Sequence, residues 1–455
     1  MTKENNLNNY RKETIRLTIP VFLELLVSSL FGMIDMMMVG NSGPSHISTP
    51  SIAAIGITNQ VILIGIAVAQ AMGSAGTAII SRYYGANKTE KIPSVVKHLI
   101  IILIGILIIP FAMVTQLFPI NIMEFIGADQ STIDIGSKYF IAMSFGFLFQ
   151  SFNLSVFAAI RGEGDTRTPM IINIGSNIIN VIGNYALIFG KFGFPALGIT
   201  GAGIATAFSH IIASIASFII LLNKSRIVRL DLRKGFKFEK TTVENLFKIG
   251  GPAAIEQVAF RLGVVVFIRM ITGLGTVVYA THQIASNIVS LSFAPGQAFG
   301  IAASTLVGRS LGEERLDRAE TYVKESNRLS LITSLFFVFL FYFFGPKLTA
   351  IYTDDQSVIA ESVNVMKIIA LIQPFQSSAF AISGGLRGAG DTVWTLIITM
   401  FGVIVIRLSV AYVLINIVGL GLVGAWTAML FDQVVRWIGI TIRYRTGKWK
   451  EIELK

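Results

Sequence analysis

The sequence predicts an all-α integral membrane protein, with twelve transmembrane helices in two six-helix bundles related by a pseudo-two-fold axis along the membrane normal. Three observations predict it. The first is composition: of 455 residues, 53% are hydrophobic and only 14% charged, where soluble domains carry about 25% charge. Mean hydropathy is +0.69. The second is that apolar runs of bilayer-crossing length recur along nearly the whole chain. The third is a duplication. Arg161-Gly-Glu-Gly-Asp-Thr166 returns as Arg387-Gly-Ala-Gly-Asp-Thr392, and Gln70-Ala-Met-Gly73 returns as Gln297-Ala-Phe-Gly300. Arg82, Gly85 and Lys97 map onto Arg309, Gly312 and Lys324, and Pro20 with Glu24 onto Pro252 with Glu256.

A span needs about 20 largely apolar residues. Such runs lie at roughly 17–40, 52–80, 98–118, 138–160, 169–190, 199–222, 250–272, 278–307, 329–345, 363–385, 393–417 and 422–442. The second and eighth are long enough to tilt or to carry polar ends. Their interior glycines and prolines are better tolerated in membrane helices than in soluble ones. Most of the 37 Lys and Arg fall in the termini and the even-numbered connections. The loop after the sixth run holds Lys224, Arg226, Arg229, Arg233, Lys234, Lys237, Lys240 and Lys248. The odd-numbered connections instead carry Glu124, Asp129, Asp134, Asp354 and Asp355. Positive residues stay in the cytoplasm, so both termini are expected there. The predicted organisation is an N-terminal bundle at 1–222, a basic cytoplasmic linker at 223–248 and a C-terminal bundle at 249–455. Six spans per repeat return the chain to its starting side, which puts the symmetry axis along the membrane normal and a cleft between the bundles.

Several chemistries are excluded. There are no cysteines, so no disulfide, thiolate metal site or cysteine nucleophile exists. His46, His98, His210 and His282 fall in separate segments without metal-ligand spacing. The net charge of +11 is spread over short loops as an orientation signal rather than gathered into a nucleic-acid face. The polar start, 1–16, and the long first run argue against a cleavable signal peptide. No Ser/His/Asp set or metal cluster falls at membrane depth, so the chain is not expected to be an enzyme. Duplicated halves with buried acids suit alternating access to a solute better than a receptor or a channel.

The intramembrane polar residues are the candidate working groups, because a charge at mid-span costs about 2.5–3.5 kcal/mol on insertion scales. Asp35 sits deep in the first run, within Gly32-Met-Ile-Asp35-Met-Met-Met38, with no basic residue within a turn. It can exchange a proton, offer hard oxygens to Na⁺, or be hydrogen-bonded across the bundle. Asn180 and Asn184 are four apart on one face. With Thr206 of the sixth run they either complete an ion site with Asp35 or bond helix to helix. Asp35 and Asn180 are thus the candidate Na⁺ ligands. Glu24 and Glu256 each follow a proline by four residues, in helices whose backbone the proline loosens. Glu256 is expected to be either the counter-charge for a cationic solute or a structural hydrogen-bond acceptor. Gln283, Gln376, Met33 and Met37 complete the expected substrate-facing set, with flexible methionines suited to varied apolar cations.

Asp432 and Arg436 are spaced for an i,i+4 ion pair. Arg269 is near a span end and can snorkel. Arg407 is central and needs a carboxylate or backbone carbonyls from a neighbour. Arg261, five residues after Glu256, does not share its face. The two Arg-Gly-x-Gly-Asp-Thr loops lack the Gly-Lys-Ser/Thr of a phosphate loop. Their glycines suit tight turns, and Asp165 and Asp391 are placed to cap the helices that follow.

Pro20 with Asp35-Met-Met-Met-Val-Gly40, the paired Arg-Gly-x-Gly-Asp-Thr loops, Gly201-Ala-Gly-Ile-Ala-Thr206 and Asn177-Ile-Ile-Asn180-Val-Ile-Gly-Asn184 together resemble the multidrug and toxic compound extrusion (MATE) family, bacterial NorM/DinF-like, over nearly the whole chain. The resemblance implies a cell-membrane secondary antiporter that exports organic cations and amphipathic drugs against inward Na⁺ or H⁺. It implies no cofactor, no nucleic acid and no obligate protein partner, and a monomer in membrane lipid. It assigns the coupling ion to Asp35. In some members the position of Asn184 is an acid, which makes a two-carboxylate relay doubtful here. NorM-type members have acids where this chain has Phe260 and Gln376, so the C-terminal ion site is thinner. The rival reading is a flippase for a lipid-linked precursor, which calls for extra helices or a strongly basic cleft.

Overall fold

The computed structural model describes residues 3–41, 45–230 and 237–453. Arg233 and Lys234 of the predicted linker lie outside the described residues. Those residues form helices and no strand. Twelve helices are long: α1 (Lys3–Gly40), α2 (Ser45–Gly85), α3 (Thr89–Leu117), α5 (Gln130–Gly162), α6 (Arg167–Phe189), α7 (Gly198–Leu222), α8 (Lys240–Thr272), α9 (Thr276–Gly312), α10 (Leu316–Ala350), α11 (Gln356–Ala389), α12 (Thr392–Ile417) and α13 (Gly421–Thr446). The short α4 (Pro119–Ile126), which the hydropathy pattern does not reveal, starts on a proline and ends at the left-handed Gly127. Nine of the long helices are apolar and long enough to cross a membrane by composition alone. The other three are α8, α9 and α13, and α8 and α13 carry Glu256, Arg261, Asp432 and Arg436 inside them.

Several helices outrun their apolar stretches. α1 begins at Lys3 rather than 17, α8 at Lys240 rather than 250, and α10 spans Leu316–Ala350 rather than 329–345. Apolar length reports only the lipid-crossing part. The helix continues wherever its polar side chains find partners. In α1 the carboxylate of Glu13 accepts from the Tyr322 hydroxyl, and Arg11 Nε donates to Glu325 at 3.4 Å. α3 and α12 loosen into π-helical turns at Ile101–Ile108, Phe401–Arg407 and Val413–Ile417.

The chain sorts into two compact units. One holds Leu23–Tyr84 and Lys88–Leu246; the other holds Phe247–Lys455 together with Met1–Phe22 and Gly85–Asn87. The first is cored by Val39, Met123, Phe140 and Ile199. The second is cored by Phe341, Met366, Ile369 and Trp426. Lipid is as apolar as these side chains, so close van der Waals packing at small residues holds such helices together. Corresponding crossings show this in both units. A methyl group on Gly73 of α2 would stand 3.1 Å from Ala158 of α5, and one on Gly384 of α11 would stand 2.5 Å from the Gly300 Cα of α9. Phe336, Phe339 and Phe343 line an exposed face of α10, as lipid contact requires.

Candidate functional site

α1 and α6 bring the site together within the first unit. Asn173, Asn177, Asn180 and Asn184 recur every three or four residues along α6 and so form one polar stripe. Along α1, Glu24, Ser28 and Asp35 make the matching stripe. The two meet in sequence. Arg161 donates to both Glu24 oxygens, at 2.6 and 2.7 Å. Asn173 Nδ2 reaches Glu24 at 3.4 Å, Ser28 Oγ donates to Asn173 Oδ1 at 2.9 Å, and Asn177 Nδ2 donates to the same oxygen at 2.7 Å. Two turns further, Asn184 Nδ2 donates to Asp35 Oδ1 at 2.7 Å.

The hydrogen-bond network orients the Asn180 amide. Its nitrogen donates to both Asp35 oxygens, at 2.9 and 3.0 Å, and its oxygen faces the Thr206 hydroxyl at 2.8 Å and the Thr206 N–H at 3.2 Å. The four residues proposed from sequence as an ion site, Asp35, Asn180, Asn184 and Thr206, therefore form one cluster. Its ligand set is a carboxylate, two amides and a hydroxyl, with no cation among the partners described. Asn184 Oδ1 is buried without a hydrogen-bond partner among the described residues. An oxygen left unmatched beside a carboxylate fits a hard monovalent cation, whose ligands are oxygens. Turning the Asn180 amide would add a further oxygen. Gly203 of α7 leaves room here, since a methyl on it would meet the Tyr139 ring at 2.9 Å. Tyr139 is buried within electrostatic reach of Asp35.

The second unit is built differently. Glu256, expected as a solute counter-charge, is 4% exposed and already neutralised. Arg387 donates to it at 2.7 Å, Thr395 at 3.1 Å and Thr399 at 3.0 Å. Of its two expected roles, the geometry shows the hydrogen-bonded acceptor. Glu24–Arg161 and Glu256–Arg387 are the same tie made twice. The repeat itself carried the signal, because each Glu follows a proline and each Arg opens an Arg-Gly-x-Gly-Asp-Thr loop. Asp432 pairs with Arg436 at 2.9 Å, as its spacing predicts, and also takes Arg407 Nε at 3.1 Å. Arg407 and Arg436 both lie over the Phe260 ring.

The remaining expected substrate residues are scattered. Met37 and Gln283 are exposed, Met33 is half-buried, and Gln376 is buried with its Oε1 unpartnered among the described residues. Asp165 caps α6 as expected, accepting the Thr168 N–H at 3.0 Å. Burial opposes its charge, but the Thr168 hydroxyl and amide and the Arg226 guanidinium outweigh that and hold its carboxyl below the usual range. Asp391 does not cap. It makes no cap bond to α12 and instead accepts from Arg443 at 2.7 Å, the stronger charged partner.

These features define a class: an all-helical, internally duplicated, multi-pass membrane protein with a carboxylate–amide cluster in one repeat. The MatE family model matches residues 20–186 and 252–413, one segment in each repeat, and the chain belongs to that family, the MATE transporters. It is 32% identical to a probable multidrug resistance protein NorM of Thermotoga maritima, over 97% of this chain and 93% of the relative. It is 28% identical to the uncharacterized transporter YisQ of Bacillus subtilis, over 95% and 94%. A crystal structure described as MATE in complex with MaD3S superposes with a TM-score of 0.89, at 22% identity, over 99% of this chain and 100% of that one, which establishes the fold.

Proposed function

We propose that the protein is a secondary antiporter of the cell membrane, with both termini cytoplasmic. It exports organic cations and amphipathic drugs in exchange for inward Na⁺ or H⁺ by alternating access, working as a monomer without a cofactor. The kinship with a probable multidrug resistance protein supports the drug-export part. One observation carries the ion-coupling part: among the described residues Asp35 is bonded by Asn184 and Asn180 and by no arginine. A cation or a proton is the partner that such a carboxylate still lacks. Ion and solute favour different states of the transporter, so binding of one weakens the other. Thr206 steadies Asn180 and serves as the outer ligand. For Glu256 to receive a cationic solute, Arg387 must first give way, which makes Glu256 a weaker counter-charge than Asp35. Met33 and Met37 adjoin Asp35 in sequence and contact the solute in this reading, and Gln283 and Gln376 are the candidate solute contacts of the second repeat.

The test is dye flux in proteoliposomes, with a sodium gradient and a pH gradient imposed separately. Wild type is expected to respond to one of them, and Asp35→Asn, inserted at normal level, to neither. Flux of Asp35→Asn equal to wild type would remove the carboxylate from the mechanism.

A further inference from the structure

Arg261 is a charge that nothing above uses. It lies midway along the part of α8 that crosses the membrane, about 11 residues from either end, or roughly 16 Å at 1.5 Å per residue. A guanidinium cannot snorkel that far. Among the described residues it makes no hydrogen bond and pairs with no carboxylate, and its Nε is fully enclosed without an acceptor. The side chain is half-buried, so the outer guanidinium nitrogens remain open. The acids inside the apolar stretches of this unit are taken: Glu256 by Arg387, and Asp432 by Arg407 and Arg436. An arginine at this depth that faced lipid would go uncompensated, and such residues instead face a water-filled path or a partner.

The duplication sharpens the point. Aligning Pro20 and Glu24 with Pro252 and Glu256 sets Arg261 opposite Ser29, and Phe267 opposite Asp35. Among the described residues, the first membrane helix of each repeat thus carries a charge within its apolar stretch that has no ionic partner: Asp35 on α1 and Arg261 on α8. Gln257, one turn before Arg261 on the same side of α8 and also half-buried, adds an amide to that face.

We propose that Arg261, with Gln257 beside it, is a binding site for the anionic group of a transported amphiphile, a carboxylate or sulfonate. The solute range then includes zwitterions and organic anions as well as cations. This rests on the transport reading above and specifies its substrate class. A guanidinium fork matches a carboxylate in two parallel hydrogen bonds.

Two dyes test it; they differ in charge at one carboxyl, free in one and esterified in the other, and otherwise only in alkyl groups on the xanthene and its amines, so each variant is compared with wild type on the same dye. Rhodamine B has a free carboxylate, and in rhodamine 6G that group is an ester, which leaves a net cation. Binding to purified protein is followed by fluorescence polarisation, and flux in proteoliposomes. Wild type is expected to bind and move both. Arg261→Gln should weaken rhodamine B roughly ten- to a hundredfold, the worth of a charged hydrogen-bonded contact. The same change should tighten rhodamine 6G, because a like charge is gone. If Arg261→Gln does not fold, Arg261→Lys keeps the charge but loses the fork, and should weaken rhodamine B several-fold without weakening rhodamine 6G. Equal losses for both dyes, unchanged rhodamine B, or a wild type that binds only rhodamine 6G each overturn the site while leaving the antiporter standing. A wild type that moves neither dye under either gradient sinks the transport reading and this one with it.

Discussion

Glu24, Asp35, Glu256 and Asp432 all lie within membrane-crossing helices, and their partners sort them into two kinds. Glu24 and Glu256 each meet one arginine, and Asp432 meets two. In a medium without water, an ion pair whose members stay together is a bracket between helices. Removing the acid from the Asp432 cluster leaves Arg407, 2% exposed, and Arg436 with no counter-charge. Breaking such a pair costs about 3–5 kcal/mol. Removing Arg436 instead leaves a neutral Arg407–Asp432 pair. Asp432→Asn is therefore expected to lower the thermal midpoint in detergent well below that of Arg436→Gln, and equal midpoints would show that the excess positive charge is not felt. Asp35, Asn180, Asn184 and Thr206 were legible in the sequence because an acid in an apolar run and two amides four apart stand out against their surroundings. Asn173 and Ser28 were not, and the pairing of Arg161 and Arg387 with the two glutamates was only implicit in the repeat. The two arginines look like ordinary loop charges until the fold folds their guanidinium groups back onto Glu24 and Glu256. Ser28 and Asn173 are unremarkable singly and matter only when α1 and α6 lie side by side.

At the scale of elements, the crossings of corresponding helices have diverged within one plan. α2 meets α5 at Gly73 and Ala158, and α9 meets α11 at Gly300 and Gly384, equivalent places in the two repeats. The second crossing is the tighter, with backbone against backbone, and there is no flexible side chain to yield. Gly384→Ala, which merely copies the residue the first repeat uses, is expected to overpack α9 against α11 and cost about 1–3 kcal/mol. Ala158→Gly should cost less, since it only removes the methyl that faces the bare backbone of Gly73 and adds helix flexibility. Folded yield by size-exclusion chromatography and the thermal midpoint report both. A Gly384→Ala protein as stable as Ala158→Gly would mean that α9 and α11 can part without loss. The sequence marked Gly300 through its repeated Gln-Ala-x-Gly motif, and Gly384 lies just before the second Arg-Gly loop. How closely the helices approach could not be read, because it depends on which faces meet. The same limit hid the helix ends beyond the apolar runs, and α4, which is too short to leave a period.

At the scale of the whole molecule, the duplicated chain must be placed in the bilayer the same way twice, and basic residues are the means. Lys224 lies in the loop after α7 and Asp354 in the loop before α11; both are exposed. Positive side chains near span ends are held on the cytoplasmic side during insertion, and acidic ones contribute little. The loop of Lys224 is the most basic in the chain, and that of Asp354 and Asp355 carries two acids side by side. The absence of any cysteine makes the wild-type protein a silent background for thiol labelling. A membrane-impermeant maleimide added to intact cells should therefore modify Asp354→Cys and spare Lys224→Cys, with Lys224→Cys reacting only after the cells are broken. Labelling of Lys224→Cys from outside would invert the orientation and send both termini outward. In the exchange proposed above, it would also reverse the face of the protein from which an ion would have to reach Asp35.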